Sequence, residues 1–433
     1  MITFWKSGGI RLDDYRFYKT MLDTYDPLRL TFKIKILKED KPNVTDLNVY
    51  MVPVTSSFLN PEGSIYNFNI KNDRDNIAYA VDQGMDVYID HSWEEYNLSS
   101  FAHPSSGHIY KNDWDYIKEN NIKLLCNNTN HKQLTDMYNM KGEIWPVEDY
   151  EDFVVPFDLF PYDVRINNTF YNQHWQLNTA PPLNPADNKY FFSMFLGEIQ
   201  KSKNVILLSE LVRRGLDKKS AYSAFVGANE NDKIRFERQY KVLSTHYSDN
   251  PTVEYFMDNE DHIFKTRLFE RYDKNDKNLA QPVTRQERRI PQVAYDSHLY
   301  LAPETQASWN NCFYTEKTYK PIAAGLPFII LGSYKQNQIL KSHYGYEIFD
   351  DIIDYSFENT SIRGSEHFFL TYTKDLFDEV ERLIKEGPKI FYTPSVKEKI
   401  EYNKNLFLNR TTTDAFINDV RETFFKIKDW DTL

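Results

Sequence analysis

At 433 residues the chain is too long for one ordinary core, so two domains with a cleft between them are the natural expectation. A hydrophobic content of 41% with 16% aromatic residues argues for packed cores over disorder, and a net charge of −11 argues against a protein that coats nucleic acid by bulk electrostatics. Cys126 and Cys312, the only cysteines, stand in different halves, which excludes a disulfide framework and a thiolate zinc site. In chain order, strand patterns fall at 47–54, 86–90 and 122–126, with helical patterns at 75–84 and 113–120 fitting between them. Strand alternating with helix predicts a parallel sheet. Pro146, Pro156, Pro161, Pro181, Pro182 and Pro185 break that rhythm over 145–187, where the crossing between lobes is expected. A second alternating run opens with a strand over 189–197. An amphipathic helix over 203–214 follows, with Val205, Leu208 and Val212 on one stripe and Gly215 just past its end. A strand over 296–303, a helix over 315–325 and a buried strand over 327–332 come next, and residues from 375 onward are helical in at least two segments. The resulting division is a first domain over 1–150, a Pro- and aromatic-rich connector over 151–188, a second domain over 189–400 and a C-terminal helix over 401–433. That last helix can return to brace the first lobe.

No stretch approaches the ~20 apolar residues that cross a bilayer, and the start of the chain lacks the basic segment and apolar run of a signal peptide. The expected location is the cytoplasm, with no membrane partner. The acidic excess falls almost wholly within the first 200 residues, whereas the second half is close to neutral and carries the basic stretch Arg285, Arg288 and Arg289. An anionic ligand is therefore expected in the second half. No Walker A, Gly-X-Gly-X-X-Gly, Gly-X-Ser-X-Gly or His-Glu-X-X-His pattern occurs, and 14 glycines leave few phosphate-cradling loops, which lowers kinases, dehydrogenases, hydrolases and zincins together. Asp73-Arg-Asp75, Asp113-Trp-Asp115 and Asp429-Trp-Asp431 follow no convincing apolar strand, so no metal site is assigned. Tyr171-Asn-Gln-His-Trp175 in the connector can stack a sugar or a base, or simply pack a core.

The segment richest in chemistry runs from Pro303-Glu304 through Phe313-Tyr-Thr315-Glu316-Lys317 to Gly332. Thr315 is a good N-cap and Glu316 sits in the first turn, so backbone N–H groups at the helix start are expected to point outward beside Lys317. Such a corner suits a diphosphate, with the carboxylate accepting from ribose or sugar hydroxyls and the lysine neutralising leaving-group charge. The same three residues also serve as an ordinary cap of a surface helix.

An acidic residue after a strand, a polar loop, an aromatic two residues before Thr-Glu-Lys, then an Ala-rich helix, Pro and an apolar strand resembles the donor-site motif of α-1,3-fucosyltransferase-like glycosyltransferases over 296–332. The phrase Glu316-Lys-Thr-Tyr-Lys-Pro-Ile-Ala-Ala also looks like glycosyltransferases of large tailed phages, including base-modifying ones, and the Lys, Asn, Tyr and Ile-rich composition agrees with an AT-rich phage genome. The resemblance implies a GT-B fold, two Rossmann-like domains facing each other across a cleft, with the acceptor on the N-terminal side and the nucleotide sugar on the C-terminal side. It implies that Glu316 holds ribose or sugar hydroxyls, that Lys317 holds the diphosphate, and that Phe313 and Glu304 line the same pocket. Where the family more often places an Arg to clamp the pyrophosphate, this chain offers Lys201 or Lys203, without the bidentate fork. Inversion is expected, with protein cations doing the work of Mg²⁺, so that no cofactor or metal is needed beside the nucleoside-diphosphate sugar.

An inverting transfer needs a general base from the other lobe. Asp90, Glu94 and Glu95 follow the strand over 86–90 and are the candidates, because loops after the C-terminal ends of parallel strands face the ligand crevice; His91 stands among them. The expected acceptor is a hydroxymethylated cytosine in phage DNA, whose backbone the 285–289 stretch can hold, or alternatively a glycan hydroxyl. A non-catalytic nucleotide-sugar-binding protein is the rival from another class.

Overall fold

The computed structural model describes residues 2–6, 32–42, 47–53, 70–91, 116, 118–126, 154–158, 160–162, 164, 188–198, 202–225, 237, 240–265, 294–304, 314–359 and 365–425. In chain order its elements are β1 (Ile2–Lys6), β2 (Phe32–Ile36), β3 (Leu47–Pro53), α1 (Ile70–Asp82), β4 (Asp86–His91), β5 (Lys123–Cys126), β6 (Val154–Pro156), β7 (Tyr190–Glu198), α2 (Ser202–Arg213), β8 (Ser220–Phe225), α3 (Pro251–Lys265), β9 (Ser297–Pro303), α4 (Glu316–Ala324), β10 (Phe328–Leu331), α5 (Gln336–Tyr344), α6 (Ser365–Glu386), α7 (Pro394–Arg410) and α8 (Thr413–Phe425). Two compact units result, one of Met1–Ile166 with Thr411–Leu433, the other of Asn167–Arg410. Each is an α/β unit built on a parallel sheet, the class expected from the alternating pattern.

The first unit holds six parallel strands in the order β2-β1-β3-β4-β5-β6. Val49, Tyr50 and Met51 of β3 and Ile89 of β4 are fully buried, as strands covered on both faces must be. α1 buries Ile77 and Ala80 and stops where Gly84 takes the left-handed conformation at φ 69°. α8 repeats Phe416, Val420 and Phe424 at helical spacing and lays that stripe on this sheet, with Phe424 edge-on to Phe4 at 5.5 Å and to Tyr88 at 4.7 Å. Tyr162, which stacks edge-on to Phe416 at 4.8 Å, also donates its hydroxyl to Asp419.

The second unit has four parallel strands in the order β10-β9-β7-β8. All seven residues of β9 are buried, which is why its sequence Ser-His-Leu-Tyr-Leu-Ala-Pro shows no alternation. α2 is buried from Lys203 through Val212, covered by α3 and α6, and its one buried carboxylate, Glu210, accepts from Arg213, Arg214 and Thr252 at 2.5–2.8 Å. The strand order reverses around β7: the chain goes from β7 to β8 on one side and then to β9 and β10 on the other. In open parallel sheets a ligand crevice forms outside the carboxyl ends of the strands at such a reversal, here β7 and β9.

Candidate functional site

The chain leaves β9 at Glu304, and that residue organises the carboxyl ends of β9 and β10. Its backbone N–H donates to Leu331 O at 2.8 Å, carrying the β9–β10 ladder one step beyond the strands. Its backbone carbonyl accepts from Lys203 Nζ, which reaches across from the start of α2. Its side chain is fully buried, and the carboxylate accepts from Thr315 N at 2.9 Å, from Thr315 Oγ1 at 2.6 Å and from Thr318 Oγ1. Four segments therefore meet at one residue: β9, β10, the start of α2 and the start of α4.

α4 begins with Thr315 in an extended conformation and accepting from Lys317 N at 3.3 Å, an N-cap of the kind its residue type favours. The helix ends at Gly325, left-handed at φ 67°. Burial pushes the Glu316 carboxyl up, but the Lys317 and Lys320 charges, a 2.7 Å bond from Lys317 Nζ and its own backbone N–H outweigh that and bring it down to about 2. The side chains of Glu316 and Lys317 remain 17% and 24% exposed, so this ion pair can meet solvent and a ligand while Glu304 cannot. One expectation needs correction: the N–H groups at the start of α4 do not point outward unengaged. Thr315 N is taken by Glu304, Glu316 N by its own carboxylate, Lys317 N by the cap hydroxyl, and Thr318 N by Thr315 O at 3.1 Å. Three polar side chains crowd one short turn, and each finds the nearest backbone donor. A bound anion would have to displace the Glu316 side chain first.

Of the residues singled out from the sequence, Glu304, Glu316, Lys317 and Lys203 come together at the end of β9. Glu304 acts there on Thr315 and Thr318, and Lys203, 8% exposed, is engaged with a main-chain carbonyl. Asp90 lies in the first unit at the end of β4, 5% exposed. Phe313, Lys201, Glu94 and Glu95, like Arg285 to Arg289 and Tyr171 to Trp175, lie outside the described residues. Asp73 and Asp75 fall within α1, away from any strand end, and the other two Asp-X-Asp patterns are outside the described residues. Among the described residues no group of three or more His, Cys, Asp or Glu is placed to hold a metal ion, and no helix is long and apolar enough to cross a membrane. Thr318 and Lys320 were not singled out from the sequence. The spacing Thr315-X-X-Thr318, two hydroxyls on one face of a first turn opposite a preceding Glu, was the available signal.

No family model matches the sequence, and no curated protein sequence matches it. Solved structures do resemble the whole chain at low identity. A glycosyltransferase from Rickettsia africae is 9% identical with 98% of each chain covered and a TM-score of 0.43. A UDP-forming trehalose-phosphate synthase from Burkholderia xenovorans is 10% identical, with 98% of this chain and 99% of that one covered and a TM-score of 0.43. A UDP-GlcNAc 2-epimerase from Neisseria meningitidis, solved bound to UDP-GlcNAc, is 10% identical with 88% of this chain and 100% of that one covered and a TM-score of 0.33.

Proposed function

We propose that the protein is a GT-B-type glycosyltransferase that moves a sugar from a nucleoside-diphosphate sugar to an acceptor hydroxyl, with inversion and without a metal. The observation that carries this reading is the position of the Thr315-Glu316-Lys317 corner. It stands at the carboxyl end of β9, beside the strand-order reversal, and is the part of that crevice whose charges remain accessible. In the reaction the acceptor oxygen bonds to the anomeric carbon as the bond from that carbon to the diphosphate oxygen breaks. The nucleoside diphosphate leaves with the electron pair, and the acceptor proton passes to a carboxylate base. Lys317 exchanges its bond to Glu316 for the departing diphosphate, which frees the Glu316 carboxylate to accept from ribose or sugar hydroxyls. Lys203, held against the Glu304 carbonyl, fixes the start of α2 at the same crevice and leaves Lys201 as the second phosphate cation. The burial of Asp90 favours Glu94 or Glu95 as the base. The acceptor proposed from the sequence is hydroxymethylated cytosine in DNA, with a glycan hydroxyl as the rival; sugar incorporation into each, assayed side by side, decides between them.

The first experiment is a thermal-shift panel of the purified protein against UDP, GDP, ADP and CMP, each with and without EDTA. One diphosphate is expected to stabilise the protein with EDTA present, and the shift is expected to vanish in Lys317→Ala. No shift with any of the four removes the donor-site reading and leaves a protein of other function on the same fold.

A further inference from the structure

Beside the α4 corner lies a second buried carboxylate that the proposed reaction does not use. Glu358, in the 3-10 turn Tyr355–Asn359, has no exposed surface. Its Oε1 accepts from Asn337 N at 2.8 Å and from Asn337 Nδ2 at 2.6 Å, while Oε2 is buried without a hydrogen-bond partner among the described residues. Asn337 in turn pairs with both main-chain groups of Ile330, donating to its carbonyl and accepting from its N–H, each at 2.9 Å. It thereby closes the outer edge of β10, the last strand of the sheet. One residue earlier, Gln336 accepts from Ser333 N at 2.6 Å through its side chain and from the Tyr314 hydroxyl at 2.6 Å through its carbonyl. Tyr314 immediately precedes the Thr315 cap.

We infer that Glu358 is a positioning residue for the α4 corner, acting through Asn337 and Gln336 at the start of α5 and through the Tyr314 hydroxyl to Thr315. The relevance of that corner to sugar transfer rests on the reading above; the coupling itself does not. The carboxyl does this work in its neutral form. The charged and titratable groups facing it are Lys335 from the start of α5, Tyr355 from its own turn and Tyr372 from α6. Both tyrosines are buried and hold their protons, and burial pushes Glu358 up to about 7 against the bonds from Asn337, the Gln338 backbone N–H and the Lys335 charge, which pull it down without offsetting the burial. A proton on Oε2 removes a charge that has no partner there, while Oε1 keeps both bonds from Asn337. Ionisation at higher pH is expected to loosen the start of α5, and with it Tyr314.

The test is hydrogen exchange of the full-length protein at pH 5.5 and 8.5, corrected for intrinsic rates, on the wild type, Glu358→Gln, Glu358→Ala and Tyr314→Phe. In the wild type, protection of 314–324 is expected to fall about tenfold between the two pH values, in Glu358→Gln to stay level, and in Glu358→Ala to be low at both. Tyr314→Phe is expected to remove the pH dependence of 314–324 while 330–344 keeps it, a result that general destabilisation does not produce. The inference is overturned if Glu358→Gln retains the wild-type pH dependence, or if Tyr314→Phe leaves that of 314–324 unchanged. A UDP titration of the wild type runs in parallel. Failure to bind UDP counts against the donor-site reading, while the exchange data, which need no ligand, still decide on Glu358.

Discussion

Two helices of the second unit start beside each other, α4 after β9 and α5 after β10, and they are capped in opposite ways. α5 is held at its start by Glu358, a carboxyl with no exposed surface and, among the described residues, no ion pair. α4 is capped by Thr315, itself held by the equally buried Glu304, but it carries outside that cap a Glu316–Lys317 pair that solvent reaches. Gln336 and Asn337, which carry the bonds at the start of α5, have no exposed surface. At α4 a ligand needs only to exchange partners with an accessible ion pair. Two neighbouring helix starts are thus built differently: buried carboxyls accept from backbone N–H groups, while the Glu316–Lys317 pair stays within reach of solvent.

That contrast can be broken at Glu304 first. Glu304→Ala leaves Thr315 N and two hydroxyls without their acceptor inside the protein, and roughly 3–4 kcal/mol of stability should be lost in denaturant unfolding. Glu304→Gln, which keeps one acceptor oxygen, should lose about 1–2 kcal/mol. A Glu304→Ala protein as stable as wild type would mean that the carboxylate does not hold the α4 cap. At α5 the matching change is Asn337→Ala, which opens the edge of β10 and removes one of the two Asn337 bonds to Glu358 while the backbone bond stays, and should cost roughly 2–3 kcal/mol.

The two carboxylates also separate by pH, in opposite senses. Glu358 is raised to about 7 in the folded chain, so its contribution is complete below about 4.5 and is lost as pH rises through 7. Glu316 is lowered to about 2, so its contribution is present above about 4.5 and is lost as pH falls toward 2. Unfolding midpoints of Glu358→Gln and Glu316→Gln against pH should each flatten one flank of the wild-type curve and leave the other. If both variants flatten the same flank, the contrast between the two helix starts fails.

Thr315 tests the cap alone. Thr315→Ala should cost about 1–2 kcal/mol and Thr315→Ser a few tenths, because serine keeps the hydroxyl that bonds Glu304 and Lys317 N. Equal losses in the two would assign the effect to the methyl group and its packing.

Much of this unit can be read from the chain. The run from Asp296 to Pro303, the Thr-Glu opening of α4, Gly325 at its end and the apolar run from Pro327 each carry a local signal, and the observed bounds differ from the expected ones by one residue. β8 escaped because Ser-Ala-Tyr-Ser-Ala-Phe has little apolar surface to mark a period; it becomes a strand by pairing with β7. β2 did carry a signal: Phe-Lys-Ile-Lys-Ile alternates over five residues, as an edge strand should, and is as long as the pattern at 86–90. At the site, residue types were visible and directions were not. Whether the carboxylate of Glu304 faces a ligand or the next helix depends on where Thr318 lands one turn later, and whether Glu358 is capped or free depends on a loop closing over α5 from outside the motif. Long-range hydrogen bonds of this kind leave no periodic trace.

One of the smaller expected effects on stability is at the residue to which the proposed reaction assigns the departing diphosphate. Lys317 is paired with its own neighbour and remains 24% exposed, so water screens the pair and Lys317→Ala should change stability by less than about 1 kcal/mol. The same substitution should abolish stabilisation by a nucleoside diphosphate, because a phosphate in that crevice would lose its cation and face the Glu316 carboxylate. A variant with an unchanged unfolding midpoint and no nucleotide shift would separate the exposed pair from the buried frame in one measurement. A variant that unfolds early would instead make Lys317 part of the frame, and the contrast between the two helix starts would have to be redrawn.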